Sequence, residues 1–334
     1  MNFQKQAQEY YARAPLIVLG SGASAAYGMS GMGALGEYLV RSTDTSGLSE
    51  KDVQAWAQFC ELLKAKTDLE TALQKVDVSD DLTSRIVTGT WKLLNSEDIG
   101  IFQRSLQDPK MFPLSRLLEH MFRTSLKTVD IVTTNYDRLA EYACDQIGRH
   151  HYSGFTHGAF RQLVGSKEIS CKRTVNIWKV HGSLDWFKSP FNDVVALPVL
   201  SEIPPSFSPH IVTPGTQKYH RTHLEPYRSI IQNADAAMSA AESYLCIGYG
   251  FNDEHIQPKL IEKCVRKNAP LTIVTYSLSP AAAQMVRDRK IQKFLAITRG
   301  SNDDESIIYS SESENPISTA GNFWSLGGYL SLVM

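Results

Sequence analysis

Two polar side chains, Asn135 and His181, have the residue types and the positions expected of a reaction site. Asn135 follows the apolar run at 129–134, and His181 follows the run at 175–180. A neutral imidazole accepts a proton from a hydroxyl group or from water, and a side-chain amide donates and accepts hydrogen bonds at the same time. We therefore interpret His181 as a general base and Asn135 as a group that orients a substrate. The structural alternatives are a histidine bonded to a backbone carbonyl and an ordinary turn residue.

A glycine turn follows the fully apolar run at 16–19 and precedes small, helix-compatible residues at 23–26. A strand, a glycine turn and the start of a helix together direct backbone N–H groups and a positive dipole end towards an anion, most often a nucleotide phosphate. A tight structural turn in an α/β protein has the same pattern. The turn predicts a phosphate site formed by Gly20, Ser21, Gly22, Ala23 and Ser24.

Four polar clusters, at 20–24, 133–137, 181–185 and 248–255, each come directly after an apolar run. In open α/β sheets, ligands bind in the crevice beyond the carboxyl ends of the strands. The four clusters therefore predict one shared ligand-binding site rather than four independent loops. Within them, Asp137 suits either a ligand contact or the N-cap of the next helix, and Asp185 suits either orienting His181 or ending its strand.

Short apolar strands alternate with helical patterns along most of the chain. The strands are expected at 16–19, 129–134, 175–180, 244–247, 271–276 and 294–298. This alternation predicts an α/β fold with a doubly wound, mainly parallel, Rossmann-like sheet. Residues 48–110 carry only helical patterns, which predicts a helical insertion. We expect a main domain at 1–40 and 113–334 and the insertion at 41–112.

The C-terminal region divides into two parts of different character. Residues 301–314 are largely polar and acidic, and we expect them to be mobile. The tail at 323–334 is apolar enough to need a packing partner. We expect it to pack on its own domain, with an oligomer interface as the alternative.

Composition narrows the class of protein. The 334 residues are 43% apolar and 21% charged, as in ordinary globular enzymes, and the net charge of -1 gives no reason to expect a nucleic-acid surface. No run approaches the roughly 18 apolar residues of a membrane span, and the polar N-terminus lacks an apolar signal core. We therefore expect a cytoplasmic protein that contacts neither a membrane nor nucleic acid directly.

The 5 cysteines are widely separated and include no C-x-x-C pair, which argues against a disulfide framework and a four-cysteine zinc site. Cys246 lies within an apolar run and is interpreted as a small core residue. His255 stands beside Asp253 and Glu254, a set that could ligate a metal. Such a run is more often the solvated start of a helix, so we predict no metal site.

The order of these clusters resembles the sirtuin family. Sirtuins carry a glycine phosphate turn with a nearby serine, then a Thr-x-Asn-x-Asp stretch, then a His-Gly element. Here these are Gly20-Ser21-Gly22-Ala23-Ser24, Thr133-Thr134-Asn135-Tyr136-Asp137 and Lys179-Val180-His181-Gly182-Ser183. The segments at 181–186 and 248–253 are similar to the sirtuin-like NAD-cleaving enzymes of bacterial anti-phage defence. The paired cysteines that form the zinc module of sirtuin deacylases have no counterpart in this sequence.

The resemblance implies that NAD is the substrate and that Asn135 and His181 are the catalytic residues. It implies NAD contacts from Gly20, Ser21, Gly22, Ala23, Ser24, Thr134, Asp137, Gly248, Tyr249, Gly250 and Ser277. Cleavage of the nicotinamide–ribose bond passes through an oxocarbenium-like transition state, as in glycoside hydrolysis. The protein must therefore orient the ribose, stabilise positive charge and admit a nucleophile from one face.

The expected function is an NAD glycohydrolase that releases nicotinamide and ADP-ribose and depletes cellular NAD during anti-phage defence. The alternatives are an NAD-dependent protein deacylase or ADP-ribosyltransferase, and a non-catalytic module that senses NAD or ADP-ribose. The resemblance also implies a silent resting state, a homo-oligomer, and a separate activator such as a DNA-translocase-type ATPase or an argonaute-like protein. The chain has no P-loop of its own.

Overall fold

The computed structural model describes residues 2–159, 161–165, 173–213, 224–253 and 256–334. Cys171, Glu254 and His255, which enter the expectations above, lie outside the described residues. The described part contains thirteen strands: β1 (Leu16–Leu19), β2 (Thr128–Thr133), β3 (His151–Tyr152), β4 (Arg161–Gln162), β5 (Thr174–Lys179), β6 (Gly182–Lys188), β7 (Val194–Ala196), β8 (Ser208–Ile211), β9 (Tyr244–Ile247), β10 (Leu271–Thr275), β11 (Phe294–Arg299), β12 (Glu305–Ser310) and β13 (Ile317–Ala320).

Twelve helices accompany these strands in the same described ranges. They are α1 (Phe3–Tyr11), α2 (Ser21–Ala25), α3 (Met32–Ser42), α4 (Glu50–Lys64), α5 (Leu69–Gln74), α6 (Asp80–Ser105), α7 (Pro113–Met121), α8 (Leu139–Gln146), α9 (Tyr227–Ala240), α10 (Gln257–Arg266), α11 (Pro280–Asp288) and α12 (Leu326–Val333). None of the helices in the described residues is long and apolar enough to cross a bilayer.

A nine-stranded sheet in the order β13-β12-β11-β10-β9-β1-β2-β5-β3 forms the centre of the molecule. Its strands pair in parallel from β11 to β3, whereas β12 pairs antiparallel with β11 and β13 pairs antiparallel with β12. All four residues of β1 are buried, as expected for a parallel strand that is covered on both faces. Since the chain leaves β1 towards β2 and later returns on its other side as β9, the carboxyl end of β1 is a topological switch point.

Helices cover both faces of this sheet, which confirms the doubly wound α/β fold. One face packs against α1, α7, α8 and α12 through residues such as Leu117, Ala143 and Tyr329. The other face packs against α9, α10 and α11 through Ile230 and Leu260. The six strands expected from sequence are present, each within one residue of its expected bounds.

The region between β1 and β2 is entirely helical. Its apolar side chains form a separate cluster in which Leu35 and Leu39 of α3 meet Trp56 and Phe59 of α4. The long helix α6 joins this cluster to the main core, where Trp91 Nε1 donates to the Leu184 carbonyl at 2.7 Å. The division into 1–40 with 113–334 and 41–112 stays a prediction.

Two sequence expectations about irregular segments are wrong. Residues 301–314 are not simply a mobile segment, because they contain β12, whose alternate residues Ser306 and Ile308 are buried against β11. The cluster at 181–185 is not only a strand end, because β6 begins at Gly182. It lies in a second, antiparallel sheet of order β4-β7-β6-β8. The strand β6 buries Ser183 and Asp185 together with its apolar residues, and β12 buries Ser306 and Ser310, so neither segment shows the apolar pattern of a strand.

The C-terminal tail packs on its own chain, as expected. Tyr329 and Leu330 of α12 have no exposed surface and contact the core beside α1 and α7. Cys246 is fully buried in β9, which confirms its interpretation as a core residue, and burial raises the pKa of its thiol well above the ordinary value. Of the cysteines in the described residues, none forms a disulfide.

Candidate functional site

Asn135 and His181 line one pocket of about 220 Å³ at the switch point, together with Gly20, Ser24, Asp137 and Asp253. We call this the first pocket. Its floor is formed by residues that directly follow β1, β2, β5 and β9. The carboxyl ends of these neighbouring strands reach the same edge of the sheet, which is why side chains far apart in sequence meet here.

Asn135 connects the end of β2 to the end of β1. Its backbone N–H donates to Thr133 Oγ1 at 3.0 Å, and its Nδ2 donates to the Gly20 carbonyl at 2.9 Å and to Ser24 Oγ at 3.1 Å. Both donors of the amide are thus engaged by the protein. A ligand would therefore meet the amide oxygen alone, whereas the sequence led us to expect an amide that both donates to and accepts from the ligand.

Ser24 and Asp137 form the wall behind Asn135. Ser24 Oγ donates to Asp137 Oδ2 at 2.7 Å, and the Leu139 N–H donates to Asp137 Oδ1 at 3.2 Å. Asp137 therefore accepts a hydrogen bond at the start of α8, although the N-cap position itself is held by Arg138, and its contact with a ligand stays a prediction. Burial raises the pKa of the Asp137 carboxyl above its ordinary value, although the Lys179 ammonium and the Ser24 hydroxyl oppose the increase.

A buried ion pair supports this wall from below. Lys179, at the end of β5, lies 3.0 Å from Glu141 Oε1 and also donates to the Asp137 carbonyl. The side chain of Lys179 is 1% exposed, so this ammonium is held inside the fold and does not reach the pocket surface. Lys179 thus links Glu141 to Asp137, and Asp137 is linked through Ser24 to Asn135.

His181 contacts a carboxylate that the sequence did not single out for this role. Its Nε2 lies 3.0 Å from Asp253 Oδ2, and both side chains are less than a tenth exposed. The resemblance implies NAD contacts from Gly248, Tyr249 and Gly250, whereas Asp253 enters the sequence expectations only beside His255. A signal was present, because Asp253 follows the apolar strand β9 directly after a glycine-bearing turn, but only the fold places it against His181.

Asp185 does not orient His181. It lies on β6 and pairs with Arg161 at 2.6 Å. Burial alone would raise the pKa of the Asp185 carboxyl, but the charges of Arg161, Lys179 and Arg138 outweigh burial and hold the pKa below its ordinary value. The possibility that Asp185 orients the imidazole is therefore contradicted by the geometry.

The glycine turn is packed against another loop. A Cβ on Gly20 would lie 2.4 Å from the Gly248 carbonyl oxygen and 2.5 Å from Tyr249 Cα, and a Cβ on Gly22 would lie 2.9 Å from Gly248 Cα. The Gly22 N–H donates to the Gly248 carbonyl at 3.0 Å. These glycines thus allow two backbones to touch. Three amides expected to meet a phosphate, those of Gly20, Gly22 and Ala23, already donate to backbone carbonyls.

A family model of the SIR2-like domain matches residues 129–297. The chain belongs to the SIR2-like domain family. The matched range includes Asn135, Asp137, His181 and the loop from Gly248 to Asp253, and it ends within β11. Membership of this family supports NAD binding and related enzymatic activity in the chain.

Solved structures of Sir2 proteins are similar to this SIR2-like chain over most of its length. A structure solved for the mechanism and regulation of Sir2 enzymes shares 14% identity, with 88% of this chain and 91% of that chain covered and a TM-score of 0.46. A Sir2 homologue bound to 2′-O-acetyl ADP-ribose shares 15% identity, with 89% of this chain and 90% of that chain covered and a TM-score of 0.42. A Sir2 homologue–NAD complex shares 12% identity, with 88% of this chain and 86% of that chain covered and a TM-score of 0.43. A comparison with curated proteins gives no match.

A second pocket of about 550 Å³ lies on the other side of α2 in the SIR2-like chain. It contains Gly22, Ala23 and Gly248, three of the expected NAD contacts, and its other walls include Tyr27, Thr275 and Trp324. Ser24 and Asp137 border both pockets. Gly20, Ser21, Thr134, Tyr249 and Gly250 belong to the first pocket. The fold therefore divides the expected contacts between two sides of one short helix.

Ser277 is not brought together with the other expected site residues. It is exposed and lines a third pocket, of about 620 Å³, beside Arg287 and Arg299. Its assignment as an NAD contact stays a prediction, and neither of the two pockets beside α2 includes it.

The first pocket is acidic. Three carboxylates face it, from Glu70, Asp137 and Asp253, and among the described residues that line it there is no lysine or arginine. Carboxylates favour a ligand group that carries or develops positive charge and disfavour a phosphate. Glu70, on α5 of the helical region, was missed from sequence because nothing in its local pattern marks it. In the described ranges, no three His, Cys, Asp or Glu residues stand close enough to hold a metal ion.

The helical region also forms the roof of the first pocket. Met29, Ser30 and Met32, around the start of α3, line it, and Leu94 of α6 closes one side. Glu97 of α6 holds this roof, because the Ser30 N–H donates to Glu97 Oε2 at 2.8 Å and Ser30 Oγ donates to Oε1 at 2.5 Å. The loop between α2 and α3 is therefore tied to α6 at the edge of the first pocket.

Proposed function

We propose that this SIR2-like chain is an NAD glycohydrolase. Water adds to C1′ of the nicotinamide ribose and the C1′–N bond breaks. The bonding electron pair moves to the ring nitrogen, and nicotinamide, ADP-ribose and one proton result. The observation that carries the proposal is that Asn135 and His181, far apart along the chain, line one small acidic pocket.

The electrostatics of the first pocket suit the nicotinamide end of NAD. The nicotinamide ring is cationic before cleavage, and the ribose becomes oxocarbenium-like in the transition state. Carboxylates at Glu70, Asp137 and Asp253 stabilise both kinds of positive charge. His181 accepts the proton of the attacking water, and the Asn135 amide oxygen accepts a hydrogen bond from that water or from a ribose hydroxyl.

The phosphates of NAD fit the rim of the first pocket better than its interior. Ser21 is exposed, lines the pocket and begins α2, so its hydroxyl is available to a phosphate oxygen. Gly22 offers less than expected, since its N–H already donates to Gly248. Tyr249 and Gly250, on the β9 side of the pocket, would meet the adenosine half, as the resemblance to sirtuins implies.

The size of the pocket supports a closed resting state. Ligand pockets usually measure about 300–1,000 Å³, and the first pocket, at about 220 Å³, is smaller. A whole dinucleotide enters only if the roof at 29–32 moves. Glu97 holds that roof through Ser30, and Arg104 binds the Tyr27 carbonyl just before it. We infer a regulated, cytoplasmic anti-phage effector that acts as a homo-oligomer. Its activator is a separate protein, such as a DNA-translocase-type ATPase or an argonaute-like protein.

The test is to incubate the purified chain with NAD, alone and with candidate activators, and to measure nicotinamide and ADP-ribose by chromatography. We expect stoichiometric release of both products. His181→Ala and Asn135→Ala should each lower the rate by about 10²-fold or more, since each removes a group acting in the transition state. Full activity in both variants would contradict the assignment of the site.

Two other outcomes would replace this function. Strong stimulation of nicotinamide release by an acyl-lysine peptide would indicate a deacylase, and transfer of ADP-ribose to protein would indicate an ADP-ribosyltransferase. Saturable NAD binding without any product, even with the activator present, would indicate a sensing module. The same chromatographic and binding measurements distinguish all of these.

A further inference from the structure

Asp253 is the carboxylate that contacts His181. The Oδ2 atom of Asp253 lies 3.0 Å from Nε2 of His181, and the two side chains are 7% and 8% exposed. Both residues line the first pocket, but they come from different strand ends, after β9 and after β5 respectively. The contact therefore exists only because the fold brings these two loops together.

The start of α10 fixes the Asp253 carboxylate in place. The Ile256 N–H donates to Asp253 Oδ1 at 3.0 Å, and the Gln257 N–H donates to the Asp253 carbonyl at 3.0 Å. One carboxylate oxygen is thus engaged by the helix, and the other is presented to the imidazole. A carboxylate held in this way can impose an orientation on the ring that it contacts.

The other charged groups around His181 have different contacts. Asp137 accepts from Ser24 and Leu139, Asp185 pairs with Arg161, and Lys179, two residues before His181 on β5, pairs with Glu141. The remaining titratable side chains that line the pocket are Glu70 from α5, Tyr136 after β2 and Tyr249 after β9. Among the carboxylates of the described residues, Asp253 is the one that contacts the imidazole of His181.

We propose that Asp253 is the positioning residue of His181, an inference that rests on the proposed function. We assign the ring proton to Nε2, where the 3.0 Å approach of Asp253 Oδ2 holds the imidazole in one orientation. When His181 takes a proton from the attacking water, the ring becomes an imidazolium and Asp253 stabilises the new positive charge. The carboxylate itself stays ionised, and the water oxygen forms its bond to C1′ as the electron pair of the C1′–N bond leaves with nicotinamide.

The test uses three variants that separate charge from helix capping. Asp253→Asn keeps the size and an acceptor for Ile256 but removes the charge. Asp253→Ser keeps a capping oxygen but does not reach His181, and Asp253→Ala removes both functions. Asp185→Asn is the matched control, because it removes another buried carboxylate that pairs with Arg161 instead.

The first measurement does not depend on activity. In ¹⁵N NMR spectra recorded at about pH 8, where a histidine ring is ordinarily neutral, we expect wild-type His181 to show one protonated and one unprotonated ring nitrogen. In Asp253→Ser and Asp253→Ala, exchange between tautomers should draw the two shifts together, and Asp185→Asn should leave them unchanged. Identical His181 shifts in the wild type and in both variants would overturn the proposal.

The second measurement is the kinetics of NAD cleavage. We expect kcat to fall by about 10²-fold or more in Asp253→Asn while KM changes little, because an orienting carboxylate acts in the transition state. Restoration of wild-type kcat by Asp253→Ser would show that capping is the whole role and would overturn the proposal. If the wild type cleaves no NAD with any activator, the proposed function fails, and the NMR spectra still decide whether Asp253 orients His181.

Discussion

Of the two pockets beside α2, the smaller one is lined by more polar and charged side chains. The first, of about 220 Å³, is lined by an imidazole, the side-chain amides of Asn135 and Asn252, and three carboxylates. The second, of about 550 Å³, is bordered mainly by apolar and small residues, and its one carboxylate, Asp137, is shared with the first. Since ligand volume alone would favour the second pocket, the comparison teaches that convergent polar groups, and not size, mark the candidate site.

The wall between the pockets is thin and highly constrained. Ser24 and Asp137 border both sides, and Asn135 is bonded to Ser24. Gly20 and Gly22 lie directly against the loop at Gly248. A change on one side of α2 is therefore expected to reach the other side only through these contacts, which makes the comparison testable.

The largest expected effect comes from exchanging the Asn135 amide in the first pocket for a carboxylate. Asn135→Asp removes the Nδ2 donor from the Gly20 carbonyl and Ser24 Oγ and adds a fourth negative charge. We expect NAD cleavage to fall by about 10²-fold or more, as is usual when a preorganised polar group is lost. Tyr27→Phe, an isosteric change in the second pocket, should leave the rate unchanged. Nicotinamide release under saturating NAD checks both, and the reverse order would move the site to the second pocket.

A smaller effect, on stability, is expected when the glycine turn is filled. Gly20→Ala forces a Cβ to within 2.4 Å of backbone, so we expect the free energy of unfolding to fall by about 1–3 kcal/mol or more. Gly33→Ala is the matched control, because a Cβ at Gly33 in α3 meets nothing within 4 Å. This control should be neutral or stabilise by up to about 1 kcal/mol. Urea unfolding followed by circular dichroism measures both, and equal values would show that the two loops can separate without cost.

The shared wall should give stability a distinctive pH dependence. Because burial raises the pKa of Asp137 in the folded protein, the native state keeps this proton longer than the unfolded chain does. The contribution of Asp137 to stability is therefore lost as pH rises from the ordinary carboxyl value of 3.8 to the raised native value. Asp137→Asn removes this dependence, so its stability relative to the wild type should increase with pH across that window. Urea midpoints from about pH 4 to 7 test the sign, and a constant difference would contradict it.

The smallest expected effect concerns the acidic character of the first pocket. Glu70→Gln removes one of three negative charges, and at a partly exposed position this is worth about 0.5–1 kcal/mol, or a two- to fivefold increase in KM for NAD. Glu61→Gln on α4, where the carboxylate is 71% exposed and pairs with Lys64, is the control. Steady-state kinetics at low salt measure the change. An equal KM for Glu70→Gln and the wild type would remove Glu70 from the substrate-binding surface.

Local patterns were sufficient for the main elements of the fold. Apolar runs such as 16–19 and 244–247 become buried parallel strands because only a strand covered on both faces accepts so many consecutive apolar residues. The strands β6 and β12 escaped detection because polar residues take buried positions in both, Ser183 and Asp185 in β6 and Ser310 in β12. Sequence patterns report the period of a segment, and they do not report which polar side chains find partners inside.

The sequence by itself determined the α/β class, the strand ends that bear Asn135 and His181, and the helical nature of the insertion, since each depends on short-range periodicity or on residue type. Only the tertiary structure decided that Asp253 rather than Asp185 faces His181, that Glu70 and Glu97 close the pocket from above, and that Gly20 packs against Gly248. These contacts join segments that are distant along the chain. Their partners are selected by strand order and packing, which no local pattern encodes.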